Sequence, residues 1–364
     1  QVTAPDKASG DAFGNSVSLS GNLVAVGAYL ADPDGISDAG AAYLYRLEAN
    51  GSASFLTKVT APDKAAGDEF GWSASLSGNI LAIGAERSDP DGTSNAGAAY
   101  LYRLEANGSA SFLTKVTAPD KNPSDFFGCS VSQSGNILAV GTTLSDPDGI
   151  SSAGAAYFYR LEANGSASFL SKVTAPDKAN GDWFGASVSL SGNILAVGSR
   201  HSDPDGVSNA GAAYFYRVEA NGSASFLSKV TAPDKSSGDR FGMKVSQSGN
   251  LLAVGADQAD PNGIANAGAA YLYRLEANGS HSFLTKITAP DGSISEHFGI
   301  SASLSEKHLA VGAYQTTPNG PTDAGAAYLF DLSTLPRSLP GDRDGDGFSD
   351  ALEANATTNP DSNL

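Results

Sequence analysis

A Phe-Gly pair recurs at Phe13, Phe70, Phe127, Phe184, Phe241 and Phe298, each 57 residues after the last. A period of this size makes each unit one supersecondary module that buries its apolar surface only by stacking on its neighbours. The chain is thereby restricted to an array, a solenoid or a propeller. Within one unit, residues 16–20 alternate polar and apolar at period two, the pattern of a half-buried strand. After Ser20-Gly21-Asn22, a tight turn, residues 23–27 form a short apolar run that predicts a strand buried on both faces. A polar loop with Asp32-Pro33-Asp34-Gly35 leads to a third strand at 41–47, and Asn50-Gly51 marks a two-residue hairpin with φ > 0 expected at both positions. Residues 55–60 form the fourth strand, which Pro62 ends. Helical periodicity is absent throughout.

Four antiparallel strands repeated six times predict an all-β protein, a six-bladed β-propeller of four-stranded blades, since a solenoid repeat normally holds one or two strands. The sixth unit stops after Tyr328-Leu329-Phe330-Asp331, without the Asn-Gly hairpin or the fourth strand. Gln1-Val2-Thr3-Ala4-Pro5 repeats the end of that missing strand, so the N-terminus is expected to close the last blade and hide its edge. This sets the propeller at 1–335 and a separate tail at 336–364. A start in mid-repeat reads as a processed or trimmed piece of something longer.

With 22 Lys and Arg against 39 Asp and Glu, the chain carries a formal net charge of −17. Such a surface repels phosphate backbones and anionic lipid, which argues against nucleic acid and membrane insertion. The single cysteine, Cys129, rules out an intrachain disulfide. A monomeric propeller within a longer chain is the expected state.

Phe13-Gly14, Val26-Gly27-Ala28 and Ala39-Gly40-Ala41-Ala42-Tyr43 together resemble the FG-GAP repeat of integrin α-subunit propellers and their bacterial relatives. The resemblance covers about residues 1–333. It implies a propeller that binds extracellular ligands on one loop face. There are departures: integrin-type propellers have seven blades, several with a calcium loop between the first two strands where this chain has Ser-Gly-Asn, and the proline of Gly-Ala-Pro is absent from every repeat.

Because six near-copies share one scaffold, the columns where they disagree show where side chains are free to vary. The residue before Phe-Gly is Ala12, Glu69, Phe126, Trp183, Arg240 or His297; the residue after it is Asn15, Trp72, Cys129, Ala186, Met243 or Ile300. A third column follows the second strand and reads Tyr29-Leu30, Glu86-Arg87, Thr143-Leu144, Arg200-His201, Asp257-Gln258 and Tyr314-Gln315. In a four-stranded blade the connections that carry these columns emerge on one rim. Aromatic and arginine side chains on such a rim are the types that anchor a glycan or a peptide. Tyr29, Glu69, Trp72, Glu86, Arg87, Phe126, Trp183, Arg200, His201, Arg240, Asp257, His297 and Tyr314 are the expected ligand-binding set. The column after Phe-Gly, with Ala, Met, Ile and Cys, reads equally well as packing between blades.

The Asp-Pro-Asp loops at Asp32, Asp89, Asp146 and Asp203, and the related loops at Asp260 and Thr317, are read as turns in preference to calcium sites. The tail differs. Residues 342–353 fit D-x-D-x-D-G-x5-E in full, which predicts a calcium loop. Asp342, Asp344, Asp346 and the Phe348 carbonyl surround the ion, Asp350 acts directly or through water, and Glu353 closes the site with both oxygens. Asp350-Ala351-Leu352-Glu353 and the later Thr358-Asn359-Pro360-Asp361 resemble the thrombospondin type 3 repeats of bacterial surface stalks. With no acid-base or nucleophilic constellation legible, the chain is expected not to be an enzyme. It is expected to be a secreted or cell-surface adhesion module binding an extracellular glycan or protein. The alternatives are a ligand-free spacer of a surface fibre or a polysaccharide-active enzyme using His201 or His297.

Overall fold

The structure, a computed structural model, describes residues 2–219, 221–276, 278–316 and 325–333. The calcium motif at Asp342, Asp344, Asp346, Phe348, Asp350 and Glu353 and the loop at Thr317 lie outside them. The first repeat folds as β1 (Phe13–Ser20), β2 (Leu23–Ala28), β3 (Ala41–Leu47) and β4 (Ala53–Val59). These pair antiparallel in the order β1-β2-β3-β4, and the next four repeats build the same sheet. The last sheet holds three described strands, Ser301–Leu304, His308–Ala313 and Ala326–Asp331. The protein is an all-β six-bladed propeller. Its first three blades belong to one compact unit, Gln1–Thr174, and the other three to a second, Ala175–Leu364.

The period exists because each blade is completed by its neighbour. Phe70, fully buried, sets its ring edge-on to Tyr100 and Tyr102 of its own blade at 5.5 and 6.1 Å between centroids. Its N–H meanwhile donates to Ala39 O of the preceding blade at 3.0 Å. Tyr102 Oη donates to Thr60 O, at the end of the preceding blade's fourth strand, at 2.8 Å. Tyr45 Oη reaches Thr3 O in the same way at 2.9 Å, so residues 2–5 keep the phase of the repeat. Ring pairs of this kind add about 0.5–1.5 kcal/mol each beyond the area they bury.

Two turns differ in detail from expectation. At Asn50-Gly51 only the glycine has positive φ. The loop spans five residues, Glu48 N–H donating to Ser52 O at 2.8 Å, and Asn50 Oδ1 accepts from Ser52 N–H and Oγ at 2.9 and 2.7 Å. The side chain therefore does what a second left-handed residue would have done. The Asp-Pro-Asp loops are single 3₁₀ turns, as at Pro33–Gly35 with Asp34 at φ 57°. Asp32 Oδ1 accepts from Asp38 N–H at 2.8 Å and Asp34 pairs with Lys64 at 3.1 Å, so the chain itself occupies both carboxylates.

Four of the repeats also hold two carboxylates of opposite character, Asp63 and Asp68, Asp120 and Asp125, Asp177 and Asp182, and Asp234 and Asp239. For Asp120, burial alone would raise the pKa, but hydrogen bonds from Lys172 at 2.8 Å and Tyr157 at 2.7 Å outweigh it and hold it below the ordinary range. Asp68 is buried beside one N–H donor, that of Ala65 at 2.7 Å, and burial holds its carboxyl above that range. A raised carboxyl stabilises the fold below its unfolded value of 3.8, and this contribution is lost as pH climbs through the folded value. Asp68→Asn is therefore expected to raise the melting temperature by a few degrees at neutral pH, the gain vanishing near about pH 3. Asp120→Asn should do the reverse: a loss at neutral pH that shrinks in acid. Thermal melts across pH check both, and parallel curves for the two variants would refute the assignment.

Candidate functional site

The residue before each Phe-Gly sits in left-handed backbone: Ala12, Glu69, Phe126, Trp183, Arg240 and His297 have φ between 54° and 58°. Bulky side chains are rare there, and such a conformation costs about 1–3 kcal/mol per residue. The turn is closed by a hydrogen bond back to its carbonyl, as from Met243 N–H to Arg240 O at 3.0 Å. It is also tied to the preceding blade, as from Arg240 N–H to Asn209 O at 3.1 Å. The scaffold thus imposes the strained conformation on whatever residue occupies the column. Glycine never does.

In the second unit the variable columns meet. Trp183 and His201 lie with ring centroids 4.5 Å apart, and the Arg200 guanidinium sits over the Trp183 ring at 4.7 Å. Arg200 Nη1 also touches Met243 Sδ of the next blade at 3.0 Å. His201 Nδ1 is 2.8 Å from Asn209 Oδ1; burial first, then the nearby charges of Arg200 and Arg240, push its pKa down, against that bond. The imidazole is therefore neutral at physiological pH. Asp257, 3% exposed, lies 3.5 Å from His297 Nδ1, and His297 stacks on Tyr314 at 5.0 Å between centroids. Burial raises the Asp257 carboxyl, opposed by Arg240, His297 and Arg200. Trp183, Arg200, His201, Arg240, Asp257, His297 and Tyr314 therefore form one continuous set of contacts and charges.

In the first unit the expected residues form separate pairs. Tyr29 packs edge-on against Trp72 at 4.8 Å, and Arg87 pairs with Glu69 at 3.3 Å. Glu69 is buried, which raises its carboxyl against the pull of Arg87. Glu86 is buried and Phe126 half-buried, each at its column position. Asn209, which orients His201, was not among the expected residues. Its column (Asp38, Asn95, Ser152, Asn209, Asn266) varies much less than the others, so comparing the copies does not single it out, but it carries the same left-handed backbone. Lys244 was also passed over. It stands where five blades carry serine, half-buried, with burial lowering its pKa.

The FG-GAP repeat family matches residues 1–45, 54–102, 111–159, 168–216, 225–273 and 282–330, most of the chain. The chain belongs to the FG-GAP repeat family. No protein of curated function matches it. Among solved structures, this FG-GAP propeller is similar to the periplasmic gluconolactonase PpgL of Pseudomonas aeruginosa. The two share 14% identity and a TM-score of 0.52, over 87% of this chain and 88% of that one, a likeness of fold. It corrects one expectation. The chain was expected not to be an enzyme, yet a propeller alike over most of both lengths is itself a gluconolactonase. The fold gives no ground for excluding catalysis, and the missing motif was a weak reason, because propeller sites are assembled from residues far apart in sequence.

Proposed function

We propose that this FG-GAP propeller is a secreted or cell-surface protein that binds a glycan at the Trp183–His201–Arg200–Arg240–Asp257–His297 cluster. One observation carries this reading. Six near-identical blades hold their neighbouring positions constant while aromatic, cationic and acidic side chains gather on one rim of the second unit, several on strained backbone. Trp183 offers an apolar face to a sugar ring, and the arginines and Asp257 offer polar partners for its hydroxyls. The expected closing of the last blade by residues 1–5 belongs to the same proposal. So does calcium held by Asp342, Asp344, Asp346, Phe348, Asp350 and Glu353 in an adjoining stalk, which rests on sequence pattern.

A glycan array probed in calcium and again in chelator tests the reading. Trp183→Ala is expected to weaken any hit about tenfold or more while moving the melting temperature by only a few degrees. A large melting shift with unchanged binding would make Trp183 a packing residue and sink the assignment.

A second reading has its own observation. His297 beside the buried Asp257 is the pairing that orients an imidazole as a general base. If the 3.5 Å separation closed to a hydrogen bond, Asp257 would hold Nδ1–H of His297. Nε2 would then take a proton from water attacking an ester or sugar-lactone carbonyl, and Arg240 would steady the oxyanion. The ester C–O bond would break as the leaving oxygen takes that proton back from Nε2. The named activity of the similar fold, gluconolactonase, makes sugar lactones the first substrates to assay.

A further inference from the structure

The second and fifth blades place opposite charges in the same two columns, with the signs exchanged. In the second blade Glu69 precedes Phe-Gly and Arg87 sits in the loop; in the fifth, Arg240 precedes Phe-Gly and Asp257 sits in the loop. The second-blade pair is closed by a direct ion pair at 3.3 Å through Glu69 Oε1, although Glu69 Oε2 is buried without a hydrogen-bond partner among the described residues. The fifth-blade pair is open. Arg240 and Asp257 influence each other electrostatically but form no ion pair within 4 Å. Asp257 Oδ1 is buried without a hydrogen-bond partner among the described residues, and Arg240, whose charge acts on it, is half-buried. A buried carboxylate oxygen left in this state is costly. Asp257 instead lies 3.5 Å from His297, and Arg240 projects from a left-handed turn at φ 58°.

One buried, unmatched carboxylate oxygen and the guanidinium that acts on it electrostatically define what would complete them. The guanidinium presents parallel N–H donors, suited to a planar anion. The carboxylate accepts from a hydroxyl. Arg200, over the Trp183 ring, adds a second cation that acts on Asp257, on a chain of net charge −17. We propose that Arg240 and Asp257 form an acidic-sugar subsite: a carboxylate or sulfate of the glycan binds the Arg240 fork, and a neighbouring hydroxyl donates to Asp257 Oδ1. The subsite deepens the glycan reading and rests on it.

The test compares three probes of equal length, an oligouronate, a sulfated oligosaccharide and the neutral oligosaccharide, by calorimetry on the full chain. The oligouronate or the sulfated probe, or both, should bind at least about tenfold more tightly than the neutral one, and whichever binds identifies the anion. Arg240→Gln should remove that advantage, weakening the acidic probe about tenfold or more and the neutral probe by a clearly smaller factor. Arg87→Gln, in the closed pair of the second blade, should change neither. Equal affinity for all three probes, unaffected by Arg240→Gln, would overturn the subsite while the glycan reading stands. No binding by any of them would overturn both.

Discussion

Gly97→Ala is expected to lower the melting temperature by roughly 8 °C or more, the largest stability effect of any single methyl group considered for this chain. A Cβ at Gly97 would lie 2.1 Å from Phe127 O, 2.6 Å from Phe127 N and 2.8 Å from Glu86 O, all backbone atoms that cannot rotate away. Its φ of +82° adds the strain of a left-handed conformation. Relief would require the second and third blades to separate where Gly97 bridges Phe127 and where Phe127 N–H donates to Ala96 O at 2.9 Å. Gly92 provides the control: φ is +75° but nothing lies within 4 Å of its added Cβ. Gly92→Ala should therefore cost only the backbone strain, about 1–2 kcal/mol. Calorimetric melts of both variants decide. If they melt together, close approach between blades is not what the invariant glycine provides.

The same glycine illustrates what could be read before any coordinates. A 57-residue period, alternation in the first strand and a continuous apolar second strand were enough for the fold, because blade geometry leaves few other ways to bury six such units. The site was legible as columns, since the copies act as their own comparison. What the columns could not show was pairing. Glu69 and Arg87 are 18 residues apart and Asp257 and His297 are 40 apart, and their meeting depends on which loop leans toward which blade. The left-handed backbone before each Phe-Gly was equally hidden, because propensity predicts glycine or asparagine there and tertiary hydrogen bonds impose tryptophan, arginine and histidine. The Asn-Gly turn failed for a smaller reason: the side chain of Asn50 supplied locally what its backbone was expected to supply.

Asp257 is where stability and function are expected to change most together. Its carboxylate, 3% exposed, is the acidic group that faces Arg240, Arg200 and His297. Asp257→Ala removes the carboxylate and leaves its buried volume empty, which should cost about 1–2 kcal/mol and show as a melting shift of a few degrees. Glycan affinity should fall at least about tenfold with it. Asp257→Asn keeps the volume and an acceptor oxygen but discards the charge, so it should melt closer to the parent protein while still losing affinity for an acidic sugar. The same variant examines catalysis. If the chain hydrolyses a sugar lactone through His297, an amide at position 257 no longer fixes the imidazole with its Nδ1 proton inward. The kcat should then fall roughly 100-fold or more with little change in KM. A structural role alone would move KM, kcat and melting together, or none of them. Should both Asp257 variants melt, bind and turn over as the parent does, the carboxylate would be a bystander, and the cluster built around it would have to be reassigned to packing.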